Sequence, residues 1–246
     1  MKTPPLTFIP GWGSSASVWT PLVGHLRTAR TVRLLDLPGM GDTPAASDAS
    51  LTCWSDTFAR QLDGPSVLCG WSLGAMLALQ LAVRHPSLVA ALILIAPTPR
   101  FVAGADWSHG LEQSTVDQFR RGFESDPAAT LRRFAALQVM GDAHRRTVGR
   151  ELEATRMTHT RDSNNALADG LRVLADSDLR ADVIALDVPL RLLHGDSDAL
   201  MPVGAAEWLA DNVAGARLSV FKGCGHAPLL SRPQECASLI ESFLDD

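Results

Sequence analysis

The chain has no apolar run long enough to cross a membrane. Its longest, "LVAALILIA" from Leu88 to Ala96, falls far short of the roughly 20 residues a membrane helix needs and reads as a buried strand. The first residues, "MKTPPLTFIPGWG", place two prolines before a brief apolar stretch. They lack the longer apolar core of a secretory signal, so export is not expected. Cysteine is scarce: Cys53, Cys69, Cys224 and Cys236 include no close pair. That excludes a zinc knuckle or a C-x-x-C redox motif and points to reduced thiols in a cytoplasmic chain. Cys224, two residues before His226, is the one placed for partial reactivity. Positive charge is also in deficit, with 22 Lys+Arg against 27 Asp+Glu and a net charge of -5. A general affinity for nucleic acid or anionic membranes is therefore not expected. Internal repeats and low-complexity tracts are missing too. "PGMGD" lacks the third glycine of a dinucleotide fingerprint, so no nucleotide cofactor is implied, and no metal is expected.

What is present suits one large catalytic domain. With 246 residues and 46% hydrophobic content, the chain can bury a substantial core. Short β-rich runs, "LTFIP", "TVRLLDL", "SVLCGW", "LVAALILIA", "VPLRLLH" and "ARLSVF", alternate with helix-length segments. This predicts an α/β fold, a mainly parallel sheet with helices on both faces. In such sheets the loops at the strands' carboxyl ends carry the chemistry. Here those loops read "PGWG", "DLPGMGD", "GWSLG", "APTP", "HGDSD" and "KGCGHAP". Between Pro99 and about Ser177 strand signals give way to helical periodicity, as in "PAATLRRFAALQVM" and "NNALADGLRVLAD". The expected organisation is a core of residues 1–99 and 178–246 with an all-helical lid at 100–177.

"CGWSLGAM" places Ser72 between two glycines as G-x-S-x-G, after a strand and before a helix. This is the setting of a nucleophile elbow, in which glycines relieve crowding while the serine oxygen is held at the helix's positive end. A serine nucleophile needs a base, and "GCGHAP" offers His226 after the last strand. The base needs an orienting carboxylate, and "HGDSDALMP" offers Asp196 and Asp198. Asp198 is preferred, three residues after Gly195 in the G-x-x-D-x-x-x-P pattern of hydrolase loops, with Asp196 bracing the loop. The order Ser, Asp, His matches the α/β-hydrolase order. The backbone amides of Leu73 and Trp12 are the expected oxyanion donors. His85 and His25 read as structural, and His194 as a support for the Asp198 loop.

On these residues the chain resembles the α/β-hydrolase fold family over nearly its whole length. More narrowly, through "GWGSSASVW", "DLPGMGD", "GWSLG", "RFAALQVMGD", "GLRVLADSDLR" and "GHAPLLSRP", it resembles the pimeloyl-[acyl-carrier protein] methyl ester esterases of biotin synthesis. "RFAALQVMG" and "GLRVLADSDLR" are the more discriminating stretches. The resemblance implies removal of a methyl group from a pimeloyl chain borne by acyl-carrier protein, without a cofactor. It also implies Ser72, Asp198 and His226 as triad, Trp12 and Leu73 at the oxyanion hole, and Phe134, Ala135, Ala136, Leu137 and Gln138 along the acyl channel. Two departures are visible. Pro10 stands where the family usually has histidine before G-W-G, and the usual antiparallel first strands look shortened or missing.

Residues 100–176 hold eleven arginines and eleven acids, half of all Lys+Arg. Arg133 adjoins Phe134, while Arg146 and Arg150 share one helical face at i,i+4. Because acyl-carrier proteins are acidic, Arg133, Arg146 and Arg150 are the candidate docking residues. Competing readings are a general short-chain carboxylesterase, an enol-lactonase with the same triad, and a hydrolase-fold receptor without turnover. A monomer is compatible with the sequence.

Overall fold

The computed structural model describes residues 3–157 and 161–245, the Arg161 side chain excepted; that arginine, counted above, lies outside the described side chains. Six strands, β1 (Leu6–Ile9), β2 (Val32–Leu34), β3 (Ser66–Trp71), β4 (Val89–Ile95), β5 (Leu190–Gly195) and β6 (Arg217–Phe221), form one sheet in the order β2-β1-β3-β4-β5-β6. Every neighbouring pair is parallel. Antiparallel pairing among the described residues is confined to isolated bridges.

The helices of two turns or more are α1 (Leu51–Ala59), α2 (Leu73–Arg84), α3 (Gln113–Ser125), α4 (Pro127–Gln138), α5 (Arg145–Ala154), α6 (Arg161–Asp176), α7 (Val203–Asn212) and α8 (Pro233–Asp245). The period-2 alternation of the strands divides the core between two faces. Ile9, Leu68, Leu92, Leu94 and Leu192 pack with Trp54 and Phe58 of α1 and Leu209 of α7. Phe8, Cys69, Ile93 and Leu193 face the other way, with Trp19, Leu22 and Ile240 of α8. Covering on both faces explains why β1 and β3 are buried at every position and read as unbroken apolar runs. β2 and β6, at the edges, are more exposed and carry the polar residues.

The chain runs outward from β1 to β2, then returns past β1 to β3. The order reverses between β1 and β3, where a doubly wound sheet opens a crevice at its carboxyl edge. Helices α3 to α6 fill the span between β4 and β5. Asp126 starts α4, its carboxylate accepting from Ala129 N–H at 2.9 Å. The expectation of helix throughout 100–177 is refined at its start, because helix begins only at Gln113. Before it lies a loop tied by the bridges Arg100↔Asp178, Val102↔Leu111 and Gly104↔Trp107. Arg180 pins this loop, reaching Asp106 at 2.9 Å and Asp178 at 2.7 Å. No described helix is long and apolar enough to cross a membrane.

Candidate active site

Ser72 joins β3 to α2 with φ 57 and ψ -119, a conformation that a side-chain-bearing residue rarely adopts. The two glycines of the motif make this turn possible. A Cβ on Gly70 would lie 2.5 Å from the Gly74 carbonyl oxygen, and one on Gly74 would lie 2.5 Å from the carbonyl oxygens of Ile9 and Pro10. Helix, elbow and β1 therefore pack backbone to backbone. Pro10, despite its departure from the family pattern, supplies one wall of that contact. Ser72 N–H donates to Ile95 C=O at 3.0 Å, which ties the elbow to β4. Leu73 is the first residue of α2, so its N–H belongs to the open end of the helix.

Asp198 and His226 follow β5 and β6. His226 Nδ1 lies 2.7 Å from Asp198 Oδ2, and both side chains are fully buried. The other carboxylate oxygen accepts from the N–H groups of Leu200 and Met201 at 2.8 and 2.9 Å. Burial alone would raise the Asp198 carboxyl. The attraction of His226 and hydrogen bonds from His194 and His226 outweigh it and hold the carboxyl below its ordinary range. With Nδ1–H directed at Asp198, His226 Nε2 carries the lone pair, and it is buried with no hydrogen-bond partner among the described residues. Trp71, immediately before Ser72, donates from Nε1 to the His226 carbonyl at 2.8 Å. That bond links the strand carrying the serine to the loop carrying the imidazole. Such an arrangement can remove a proton from a serine hydroxyl and return it to a leaving group.

The neighbouring candidates fall into place on either side. Asp196 accepts from Ser197 Oγ at 2.9 Å and Gly223 N–H at 2.8 Å, so it joins the acid and base loops without touching the imidazole. His194 is fully buried, its Nε2 2.7 Å from the Met201 carbonyl and 3.3 Å from Asp198 Oδ2. His85 pairs with Asp56 at 2.8 Å, away from the site. The expected reactivity of Cys224 is corrected: burial pushes its thiol up to about 12, which suppresses the thiolate.

Trp12 is buried after β1. Its Nε1 donates to Leu167 C=O of α6 at 2.8 Å, and its ring meets Phe134 edge-on at 4.8 Å. Trp12, Leu131, Phe134, Ala135, Gln138, Leu152 and Arg156 border a narrow crevice. Of the run 134–138, then, Phe134, Ala135 and Gln138 reach it. Ala136 is exposed and Leu137 packs into the apolar core instead. Helix geometry separates them, since five consecutive residues at 3.6 per turn cannot share one face. Arg133 is exposed, with its guanidinium 5.0 Å from the Phe119 ring centroid. Arg146 and Arg150 are both exposed on α5.

Three residues here have no role that a local pattern signals, although Trp71 lies within "GWSLG" and Asp142 ends "RFAALQVMGD". Trp71 is hidden by its neighbour Ser72. Arg156 borders the crevice with Nη1 buried and without a hydrogen-bond partner among the described residues. Asp142, in the turn after α4, donates nothing but accepts from three groups, two of them more than eighty residues away. Separation of that kind leaves no local pattern.

The chain is similar to known proteins over nearly its whole length. The family described as "Alpha/beta hydrolase family" matches residues 8–239. A pimeloyl-[acyl-carrier protein] methyl ester esterase of Aromatoleum aromaticum is 48% identical over 249 residues, covering 99% of this chain and 99% of its own. A protein of the same name from Nitrosomonas europaea is 36% identical, covering 98% of this chain and 95% of its own. Among solved structures, an esterase from Exiguobacterium antarcticum superposes with a TM-score of 0.85 at 22% identity, covering all of this chain and 93% of its own. At that identity the likeness speaks for the fold alone.

Proposed function

The chain belongs to the α/β hydrolase family, and from that membership we propose that it hydrolyses the methyl ester of pimeloyl-[acyl-carrier protein] to pimeloyl-[acyl-carrier protein] and methanol, a step of biotin synthesis. The observation that carries this reading is full-length identity of 48% to an esterase of that name, joined to an intact elbow and an Asp198–His226 pair at 2.7 Å.

In the proposed reaction His226 takes the Ser72 proton as Ser72 Oγ attacks the ester carbonyl. The Trp12 and Leu73 amides hold the oxyanion, and His226 returns the proton to the departing methoxide. Water, activated by the same imidazole, then releases the free carboxylate. Asp198 keeps the imidazole in the required tautomer. Phe134, Ala135 and Gln138 give the methylene chain its wall beneath a lid of residues 100–177. Arg133, Arg146 and Arg150 steer the acidic carrier to the mouth of the crevice. The four cysteines are free, in keeping with a cytoplasmic setting.

A competition assay tests the substrate. Purified protein is offered methyl pimeloyl-carrier protein together with an enol-lactone and a short p-nitrophenyl ester. The carrier-linked ester is expected to have the highest kcat/KM, and deletion of the gene is expected to create a growth requirement that biotin relieves. Preference for the lactone would replace this reading with an enol-lactonase; preference for the p-nitrophenyl ester, or growth of the deletion strain without biotin, would replace it with a general carboxylesterase.

A further inference from the structure

The turn between α4 and α5 is bonded to the base loop at more points than its place in a helical insertion requires. Asp142 Oδ2 accepts from Gly225 N–H at 2.9 Å, and Oδ1 accepts from Ser231 Oγ at 2.9 Å and from His144 N–H at 2.7 Å. Backbone bonds run alongside. His226 N–H donates to Gln138 C=O at 3.1 Å, and Ala143 N–H to Gly223 C=O at 2.9 Å. The contact is close enough to dictate residue type. A Cβ on Gly225 would lie 2.9 Å from the Gln138 carbonyl oxygen, and one on Gly141, at φ +76, would lie 2.7 Å from Ser197 Cβ. One turn therefore touches both the loop carrying His226 and the loop carrying Asp198.

We propose that Asp142 is a positioning residue. Its buried carboxylate clamps the base loop to the insertion, so that the placing of His226 against Ser72 depends on how α4 and α5 are seated. The proposal rests on the reading of Ser72 and His226 given above. Gly223 and Gly225 leave the base loop little stiffness of its own, while a base must be held to within about 0.5 Å of its working position. A carboxylate accepting three hydrogen bonds supplies stronger restraint than neutral groups would. The other polar groups around it are the His144 imidazole, Arg232, which donates to Ser231, and the Cys224 thiol. The same turn ends the helix that brings Phe134 and Gln138 to the crevice and precedes the helix that carries Arg146 and Arg150. An occupant that seats either helix thereby steadies the base, which makes catalysis responsive to the correct carrier-borne chain.

The test is the rate at which a small fluorophosphonate labels Ser72, a reaction that needs His226 but none of the chain-binding residues. In Asp142→Asn an amide NH₂ replaces one acceptor, leaving either Gly225 N–H or the Oδ1 donors unpaired. Labelling is expected to slow about tenfold or more, with kcat on a short methyl ester falling in step and KM unchanged. Ser231→Ala removes one donor of three and is expected to slow labelling about threefold. Circular dichroism and Tm establish that each variant is folded. A folded Asp142→Asn labelled at the wild-type rate overturns the proposal; should that variant not fold, wild-type labelling of Ser231→Ala does so. Wild-type protein left unlabelled at Ser72 instead brings down the nucleophile assignment, and this proposal with it.

Discussion

The carboxyl edge of the sheet and the helical insertion above it are built by different means. At the edge, position is set by backbone against backbone. At Gly70, Gly74 and Gly195 a Cβ would lie 2.2 to 2.5 Å from a neighbouring carbonyl oxygen, so the backbone approaches there exclude any side chain. The triad candidates are buried to 8% exposure or less. In the insertion, position is set by side chains. Phe119 meets Phe134 edge-on, Phe123 and Phe134 meet Trp12 of the edge in the same way, Asp126 caps a helix, and arginines lie exposed on the outer surface. The first construction tolerates almost no change and keeps reacting atoms in register. Away from the Asp142 turn, the second can vary its lining with little disturbance to the chemistry beneath, which is how one catalytic edge can serve many substrates.

The largest expected effect is at the edge. Ser72→Ala is expected to lower kcat on any ester by roughly 10⁴-fold or more while the fold persists, because triad members act as a unit. Steady-state kinetics with a Tm measurement checks both halves. Near-wild-type turnover by the folded variant would remove Ser72 as nucleophile. Gly74→Ala probes the same region through packing. Its Cβ would be forced against two carbonyl oxygens of β1's end, at 2.5 Å from each, so a loss of about 2–3 kcal/mol is expected from denaturant unfolding. A like substitution at Gly149 in α5, where a Cβ would meet Val139 Cγ1 at 4.0 Å, is expected to be neutral or slightly stabilising. Equal destabilisation at both positions would erase the contrast.

Asp198 offers a middle-sized effect with a definite sign. Its carboxyl is held below the ordinary range in the folded chain. Between the unfolded value, about 3.9, and the lower folded value, the unfolded chain binds the extra proton. The stabilisation is therefore present above about pH 4 and is lost as pH falls through that window. Wild type is expected to lose up to about 1.4 kcal/mol per pH unit there that Asp198→Asn does not lose. Urea unfolding of both proteins across the window measures the difference. Parallel curves would mean that the carboxyl gains nothing from His226 and His194.

The contrast also explains what could be read from the sequence. The elbow, the order Ser72, Asp198, His226, the six strands and the helical span are legible because each depends on residues near one another in sequence or on a simple period. β2 is shorter than "TVRLLDL" suggests, since only Val32–Leu34 finds a partner before the chain leaves the edge. The loop before α3 leaves no sequence signal because bridges such as Arg100↔Asp178 join residues far apart. The roles of Asp142 and Arg156 leave no local signal for the same reason: their surroundings exist only after folding. The run 134–138 divides because a motif gives residues in line whereas a helix distributes them around its axis.

The smallest expected effect belongs to the outer surface of the insertion, and it sharpens the comparison most. Arg146 and Arg150 project from α5 at i,i+4 and form no ion pair among the described residues. Their charge is thus available to a partner. Reversal of both to glutamate is expected to raise KM for methyl pimeloyl-carrier protein about threefold to tenfold at low ionic strength, through slower encounter with an acidic protein. A small soluble methyl ester has no charge for these residues to steer, so its kcat and KM are expected to stay at the wild-type values. Added salt shortens the Debye length to about 3 Å at 1 M and is expected to bring the two proteins' KM values together. Loss on both substrates would place these arginines in the structure that supports His226 rather than on a docking surface. No loss on either would leave them as solvated helix residues, and the carrier would have to be recognised elsewhere.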